Sequence, residues 1–349
     1  MDSPLRHALT ALANRQSLSE EQTAEVFGVV MSGEATPAQI GGLLLGLRAK
    51  GETADELAGA TRALRNAMVR VNAAHEHLVD TCGTGGGSVS TFNISTVAAF
   101  VASGAGAVVP KHGNRSYTSR CGSADVLEAL GIRIVLDATN ASRVLSEARV
   151  VFLFAPSFHP AMKHVGPVRR ELGTPTLMNL VGPLANPASV KRQVIGVAEP
   201  ERAPIVAEAL VRLGAEHALV VHGRVGMDEI SPQGVTDVWE VKDGAVRTWE
   251  IDPERFRLGI KDVSHLQGGE PAANAERVER ILGNGASGGE SPPDHAGLSA
   301  VLLNAGAAIY VAGIAASLAE GIGRAREVVA SGAARAALDR LRKAAASIS

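Results

Sequence analysis

Asp80-Thr81-Cys82-Gly83-Thr84-Gly85-Gly86-Gly87-Ser88, then Asn93-Ile94-Ser95-Thr96, then Lys111-His112-Gly113-Asn114-Arg115, is the stretch that decides how this chain folds. A short apolar-ended strand, 77–81, runs into a glycine-rich turn, and a helix is expected beyond it. Backbone N–H groups left unshielded by glycine, facing a helix N-terminus, make a cradle for an anion. A second apolar run, 107–109, delivers Lys111 and Arg115 with Asn114 between them. Two cations and an amide opposite such a turn suit a ligand carrying several phosphate charges. Ser116, Thr118 and Ser119 add neutral donors of the sort used on a sugar phosphate.

Two rival phosphate motifs fail on the same letters. A Walker A loop ends in Gly-Lys-Ser/Thr, and no lysine occurs between Asp80 and Val109. A dinucleotide fingerprint wants a third glycine where Ser88 stands, and an acidic residue about 20 positions on to hold a ribose diol. Here the second strand ends in Lys111, which suits a phosphate.

Working outward, residues 1–70 follow a helical grammar. Ser19 to Gln22, Thr36 to Gln39 and Thr53 to Glu56 are capping boxes, Pro37 takes a first helical position, and Gly33 and Gly51 fall at helix ends. From about residue 77 short β-branched runs alternate with helical segments: 78–79, 108–109, 132–136, 150–154, 194–197 and 217–221. That alternation predicts a mostly parallel sheet with helices on its faces, whose ligands sit beyond the carboxyl ends of the strands. The segment 283–297 is a surface loop by its Gly, Ser and Pro content, and 325–346 is a single helix. The apolar run 296–319, broken by Asn304 and glycines, is a packed core helix although its length alone would permit a membrane span.

Composition narrows the function. A chain of 349 residues with 46% hydrophobic and 20% charged residues can bury a large core. Aromatics at 3% and a net charge of −2 leave neither stacking platforms nor a basic footprint for nucleic acid. Phosphate recognition is therefore local. Cys82 and Cys121 have no metal-ligand spacing and form no disulfide framework, and the N-terminus has no secretory character.

Single residues divide between bland and chemical roles. Asp228-Glu229 is an adjacent acidic pair; on a strand consecutive side chains diverge, so the two would reach different ions or waters. Hard oxygen ligands beside a polyphosphate imply Mg²⁺. Arg169 and Arg170 open a segment ending at Pro175, and a guanidinium fork recognises a planar carboxylate. His159, beside Pro160, is by itself a structural histidine, and Cys82 a small filler.

The ordered set of GTGG (83–86), NIST (93–96), KHGNR (111–115), GSADVLEALG (122–131), FHPAMK (158–163), VRRELGTPTLMNLVGPLANP (168–187), MDEIS (227–231) and VLLNAGAAIYVAG (301–313) resembles the anthranilate phosphoribosyltransferase family, over nearly the whole chain. The resemblance implies an α/β protein of nucleoside phosphorylase/phosphoribosyltransferase type. A small all-helical domain, 1–72, would be joined in space by helices near 165–190. A large, mostly parallel α/β domain, 73–349, would bind the phosphoribosyl group. It implies transfer of a 5-phosphoribosyl group from phosphoribosyl pyrophosphate to the amine of anthranilate, in tryptophan biosynthesis. The donor would be held by Gly83, Gly86, Gly87, Thr91, Asn93, Ile94, Ser95, Thr96, Lys111, His112, Gly113, Asn114, Arg115, Ser116, Tyr117, Thr118, Ser119 and Ser123. The acceptor would be held by Gly83, Asn114, His159 and Arg169, with His112 and Met178 nearby and Arg170 solvated.

Two Mg²⁺ per subunit would be held by Ser95, Asp228 and Glu229. No acid or base is required, Asn114 and Arg169 acting by positioning. A cytoplasmic homodimer joined through the N-terminal helices is implied, with no nucleic-acid or membrane partner. The alternatives are a pyrimidine nucleoside phosphorylase-like enzyme, against which 111–115 and 158–163 argue, and a non-enzymatic nucleic-acid-binding relative. One departure stands out: the family pattern continues GTGG with Asp, and this chain has Gly87.

Overall fold

Capping chemistry sets the limits of the first helices, α1 (Pro4–Ala13), α2 (Glu20–Ser32), α3 (Pro37–Lys50) and α4 (Ala54–Ala67). All three capping boxes form, Pro37 is the first residue of α3, and Gly33 closes α2 at φ 83°. The computed structural model describes residues 3–116, 120–283 and 294–348. Tyr117, Thr118 and Ser119, and 284–293 of the expected surface loop, lie outside the described residues.

Strands and helices then alternate: β1 (Asp80–Gly83), α5 (Ile94–Gly104), β2 (Val109–Gly113), α6 (Ser123–Ala129), α7 (Ala138–Ala148), β3 (Val150–Phe154), α8 (Ala155–Phe158), α9 (Met162–Leu172), α10 (Leu177–Leu184) and β4 (Arg192–Gly196). They continue with α11 (Ala203–Arg212), β5 (His217–Gly223), β6 (Thr236–Lys242), β7 (Ala245–Ile251), α12 (Pro271–Leu282), α13 (His295–Val311), α14 (Leu318–Ala330) and α15 (Ala333–Ala346).

A five-stranded sheet runs β1-β4-β5-β6-β7, and β2 pairs with β3. A parallel bridge between Leu78 and Val108 joins the two, with the Val79 N–H on the Val108 carbonyl at 2.9 Å. The order across the molecule is thus β3-β2-β1-β4-β5, all parallel, with β6 and β7 added antiparallel. One apolar cluster packs α5, α7, α13 and α15 against Val79 before β1, against β2 and β3, and against Val194 of β4 and Leu219 and Val221 of β5. The other gathers α1 to α4 around Val165 and Val168 of α9 and Leu177 to Leu184 of α10, and continues onto β4, β5 and α11.

Three expectations change. Residues 132–136 alternate buried Ile132, Ile134 and Leu136 with exposed neighbours, as a strand would, but pair with no strand and lead into the Asp137 cap of α7. The hairpin β6–β7 was not foreseen, although its turn, Asp243-Gly244 at φ 53° and 72°, is a sharp hairpin signal. The C-terminal helix is two helices, separated at Gly332, whose φ is 78°. The run 296–319 is not one helix: its core part is α13, which ends at Val311, and the chain turns through 312–317 before α14 begins at Leu318. Among the described residues no helix is long and apolar enough to cross a membrane.

Candidate functional site

The turn after β1 opens at the carboxyl end of the parallel sheet. Gly85 and Gly86 adopt φ 69° and 83°, and a Cβ at either would meet nothing within 4 Å. Positive φ at successive residues is free of strain only for glycine, and the Gly85 N–H is already taken by the Asp228 carboxylate. The turn is tied to its neighbour strand by the Thr84 N–H on the Gly196 carbonyl at 2.9 Å and the Ala198 N–H on Thr84 Oγ1 at 3.1 Å.

Asp228 lies beneath this turn. The Gly85 N–H donates to its Oδ2 at 2.9 Å, and a Cβ on Gly83 would sit 2.8 Å from the same oxygen. A Cβ on Gly87 would be 3.1 Å from Asp228 Oδ1 and 2.9 Å from the Gly226 carbonyl. Asp228 and Glu229 stand on the loop beyond β5, not on a strand as expected, yet their side chains do diverge. Glu229 Oε1 accepts from the Ser95 N–H at 3.2 Å, at the start of α5. Burial and the neighbouring Asp228 push the Glu229 carboxyl up to about 8, and burial also raises Asp228. Two crowded carboxyls that resist ionising are an invitation to a cation.

The other wall is α5 and the end of β2. Ile94 and Thr96 are buried, and Thr96 Oγ1 has no hydrogen-bond partner. Asn93 is already engaged, its Nδ2 on the Cys121 carbonyl at 3.1 Å and its Oδ1 accepting from Asn274 Nδ2 at 3.0 Å. Thr91 precedes it in the segment leaving the glycine turn. Lys111 Nζ reaches back from β2 to the Thr81 carbonyl and, at 3.1 Å, to Ser95 Oγ. The other expected cation is elsewhere: Arg115 is exposed, paired with Asp125 and Glu128 of α6 and lying 5.7 Å from the Phe154 ring centre. The basic charge acting on Glu229 is that of Lys111. Gly113 is pressed against Ser123 Oγ and the Phe152 ring, and Ser123 Oγ donates to the Asn114 carbonyl at 3.2 Å, which fixes the strand's exit onto α6 beside Ser116.

A buried brace, whose two ends stand in the quoted motifs but were given no role there, positions this exit. Asp80, fully buried, accepts from the His112 N–H at 3.2 Å and from Asn186 Nδ2 at 2.7 Å, and Asn186 also donates to the Pro110 carbonyl at 2.8 Å. Burial raises the Asp80 carboxyl to about 6, against the pull of Lys111. His112 and His159 meet at 3.1 Å between their Nε2 atoms, so one donates and the other accepts, and both are neutral. Burial lowers them to about 3 and about 4.

Arg169 is half-buried on α9, its Nη2 donating to Asn179 Oδ1 of α10 at 3.4 Å, whereas Arg170 is exposed. Met178 is buried on the same α10. A hollow of about 390 Å³ lined by Arg192, His217, Lys242 and Tyr310 lies at the opposite, amino ends of β4 and β5 and takes no part in this arrangement.

Among the described residues no group of three or more His, Cys, Asp or Glu side chains could hold a metal alone. A divalent ion here would take Ser95, Asp228 and Glu229 and complete its shell from water and phosphate oxygens, the habit of Mg²⁺. A helical bundle against a parallel sheet, with a glycine cradle, a buried lysine and paired carboxyls at the strand ends, defines a protein that handles a phosphorylated ligand together with a cation.

The comparisons agree with that class. Residues 6–68 match the glycosyl transferase family helical bundle domain and 75–335 the glycosyl transferase family a/b domain. An anthranilate phosphoribosyltransferase of Anaeromyxobacter dehalogenans is 48% identical over 337 residues, covering 97% of each chain. One of Rubrobacter xylanophilus is 50% identical over 96% of each. The crystal structure of the Thermus thermophilus anthranilate phosphoribosyltransferase superimposes with a TM-score of 0.90 at 42% identity, covering 97% of this chain and 99% of that one. The Saccharomyces cerevisiae enzyme in complex with PRPP and Mg gives 0.89 at 28% identity, over 100% and 99%. This chain belongs to the anthranilate phosphoribosyltransferase family.

Proposed function

We propose that the protein transfers the 5-phosphoribosyl group of phosphoribosyl pyrophosphate to the amine of anthranilate, the bond from the ribosyl carbon to pyrophosphate breaking as the carbon–nitrogen bond forms. The observation that carries this reading is the cradle of Gly85 and Gly86 at positive φ, opening beside Asp228, Glu229, Ser95 and Lys111 at the strand ends. The aniline nitrogen is neutral and attacks without prior deprotonation, so positioning replaces acid–base chemistry. The glycine amides with Gly83, Gly86 and Gly87, the α5 start (Thr91, Asn93, Ile94, Ser95, Thr96) and the 111–119 segment with Ser123 hold the donor. Arg169 takes the acceptor carboxylate through its fork, with Asn114, Gly83 and the His112–His159 pair alongside.

Bound Mg²⁺, two ions per subunit on Ser95, Asp228 and Glu229, would neutralise the leaving pyrophosphate. Residues 1–72 and 73–349 act as the two domains, in a cytoplasmic homodimer joined through the N-terminal helices. Pyrophosphate release measured with and without anthranilate tests the reading: release that ignores anthranilate overturns it.

A further inference from the structure

Lys111 carries the buried cation of the site, 4% exposed, and both of its hydrogen-bond partners are neutral oxygens, the Thr81 carbonyl and Ser95 Oγ. Neutral oxygens backed by carboxylates are also what a hard divalent cation selects. The Ser95 residue faces both ways: its N–H holds Glu229 at 3.2 Å while its hydroxyl accepts from Lys111 at 3.1 Å. Asp80 and Glu229 both act on the ammonium through space, and Lys111 in turn acts on Glu229. An ion that coordinates Ser95 Oγ with Glu229 must use the oxygen that Lys111 now holds. Two cations that close in a poorly hydrated site repel strongly.

We propose that Lys111 and the divalent cation take turns on the Ser95 hydroxyl, so that the lysine is a tethered counter-ion which metal binding must displace. The inference rests on Ser95 and Glu229 as metal ligands. Its consequence is coupling. Metal binds weakly until the donor's phosphates offer the released ammonium new partners, and donor and metal then bind cooperatively. Between turnovers the lysine also supplies the positive charge that acts on Glu229, a role separate from touching the donor.

Electron paramagnetic resonance of Mn²⁺ binding, without donor and without turnover, reads this directly in wild type and Lys111→Met. The expected result is tighter Mn²⁺ binding by the variant, by a factor between about 5 and 150, and a smaller further gain when donor is added. Equal or weaker binding by the variant overturns the proposal. Should Lys111→Met not fold, wild-type crystals soaked in Mn²⁺ without donor decide the matter. A Lys111 Nζ moved out of hydrogen-bond range of Ser95 Oγ supports the exchange, and an ion on Ser95 with that bond intact overturns it. If Ser95→Ala and Glu229→Gln bind Mn²⁺ in the presence of donor as tightly as wild type does, the ligand assignment itself fails and the proposal falls with it.

Discussion

Arg169 shows how one side chain separates acceptor from donor. Its guanidinium is half-buried and leans on Asn179 at 3.4 Å, so its fork is already oriented before any ligand arrives. Arg169→Ala should raise the KM for anthranilate steeply and leave the donor KM nearly unchanged. A loss on the order of 2–4 kcal/mol fits a charge-assisted pair in a partly dry pocket. Steady-state kinetics in which only the donor KM moves would remove the assignment. Gly87 is a second test at this scale. An aspartate there would start 3.1 Å from Asp228 Oδ1, adding a carboxylate to a pair that already resists ionising. The wild type should therefore be less inhibited by excess Mg²⁺ than Gly87→Asp, with somewhat weaker donor binding. Superimposable magnesium titrations of the two forms would show that position 87 does not touch the metal balance. The meeting of Lys111, Ser95 and Glu229 was legible because those residues sit inside contiguous motifs. Asp80 and Asn186 were not legible as partners: 106 residues separate them, and only the parallel pairing of β1 with β4 brings them together.

Among the elements, the helices were easiest to read because a cap is written within four residues. Ser19, Thr36 and Thr53 each find the partner that the spacing supplies. Strand pairing is a non-local property, which is why 132–136 carries the alternation of a strand without joining the sheet. The tightest joint between elements is also invisible in sequence. Gly196 at the end of β4 has the Asp228 carbonyl so close that any Cβ would strike backbone. Gly59 of α4 is pressed in the same way against the Glu20 carbonyl and Thr23 of α2. Gly196→Ala and Gly59→Ala should each destabilise by about 1–3 kcal/mol, the usual cost of forcing atoms into a filled space. Only Gly196→Ala should also lower kcat, because it pushes on the loop that carries Asp228 and Glu229. Thermal midpoints and kcat measured side by side decide this, and a kcat loss shared equally by both would show that the two joints are not separable.

At the scale of the molecule the apolar faces raise the question of assembly. Leu45 on α3 is 48% exposed while its neighbours Leu43, Leu44 and Leu47 are buried in the cluster that α1 to α4 share with α9 and α10. A single aliphatic side chain of this kind is ordinary at a protein surface, so the homodimer has to be tested in solution. Light scattering at micromolar concentration should return twice the mass of one chain, and a monomer mass would remove the homodimer. Stability against pH is the second molecular property, and it depends on opposing groups. His112 and His159 are lowered from 6.5 to about 3 and about 4 by burial. The folded state therefore binds fewer protons than the unfolded one below pH 6.5, and the stability these histidines contribute is complete above 6.5 and lost as pH falls toward 4. Asp80, raised to about 6, and Glu229, raised to about 8, act the other way, since their folded forms keep protons that the unfolded chain has released. Their contribution is complete at low pH and is lost as pH rises through those values. Between pH 6.5 and 4.5 the two pairs offset, so the wild-type curve alone would be shallow. The difference between wild type and a His112→Asn, His159→Asn double variant isolates the histidines. That difference should shrink on acidification by about 1.4 kcal/mol per pH unit for each histidine still in its titration window. Denaturant midpoints at pH 7, 6 and 5 measure it, and a difference constant across those values would mean that the pair is not held neutral by burial.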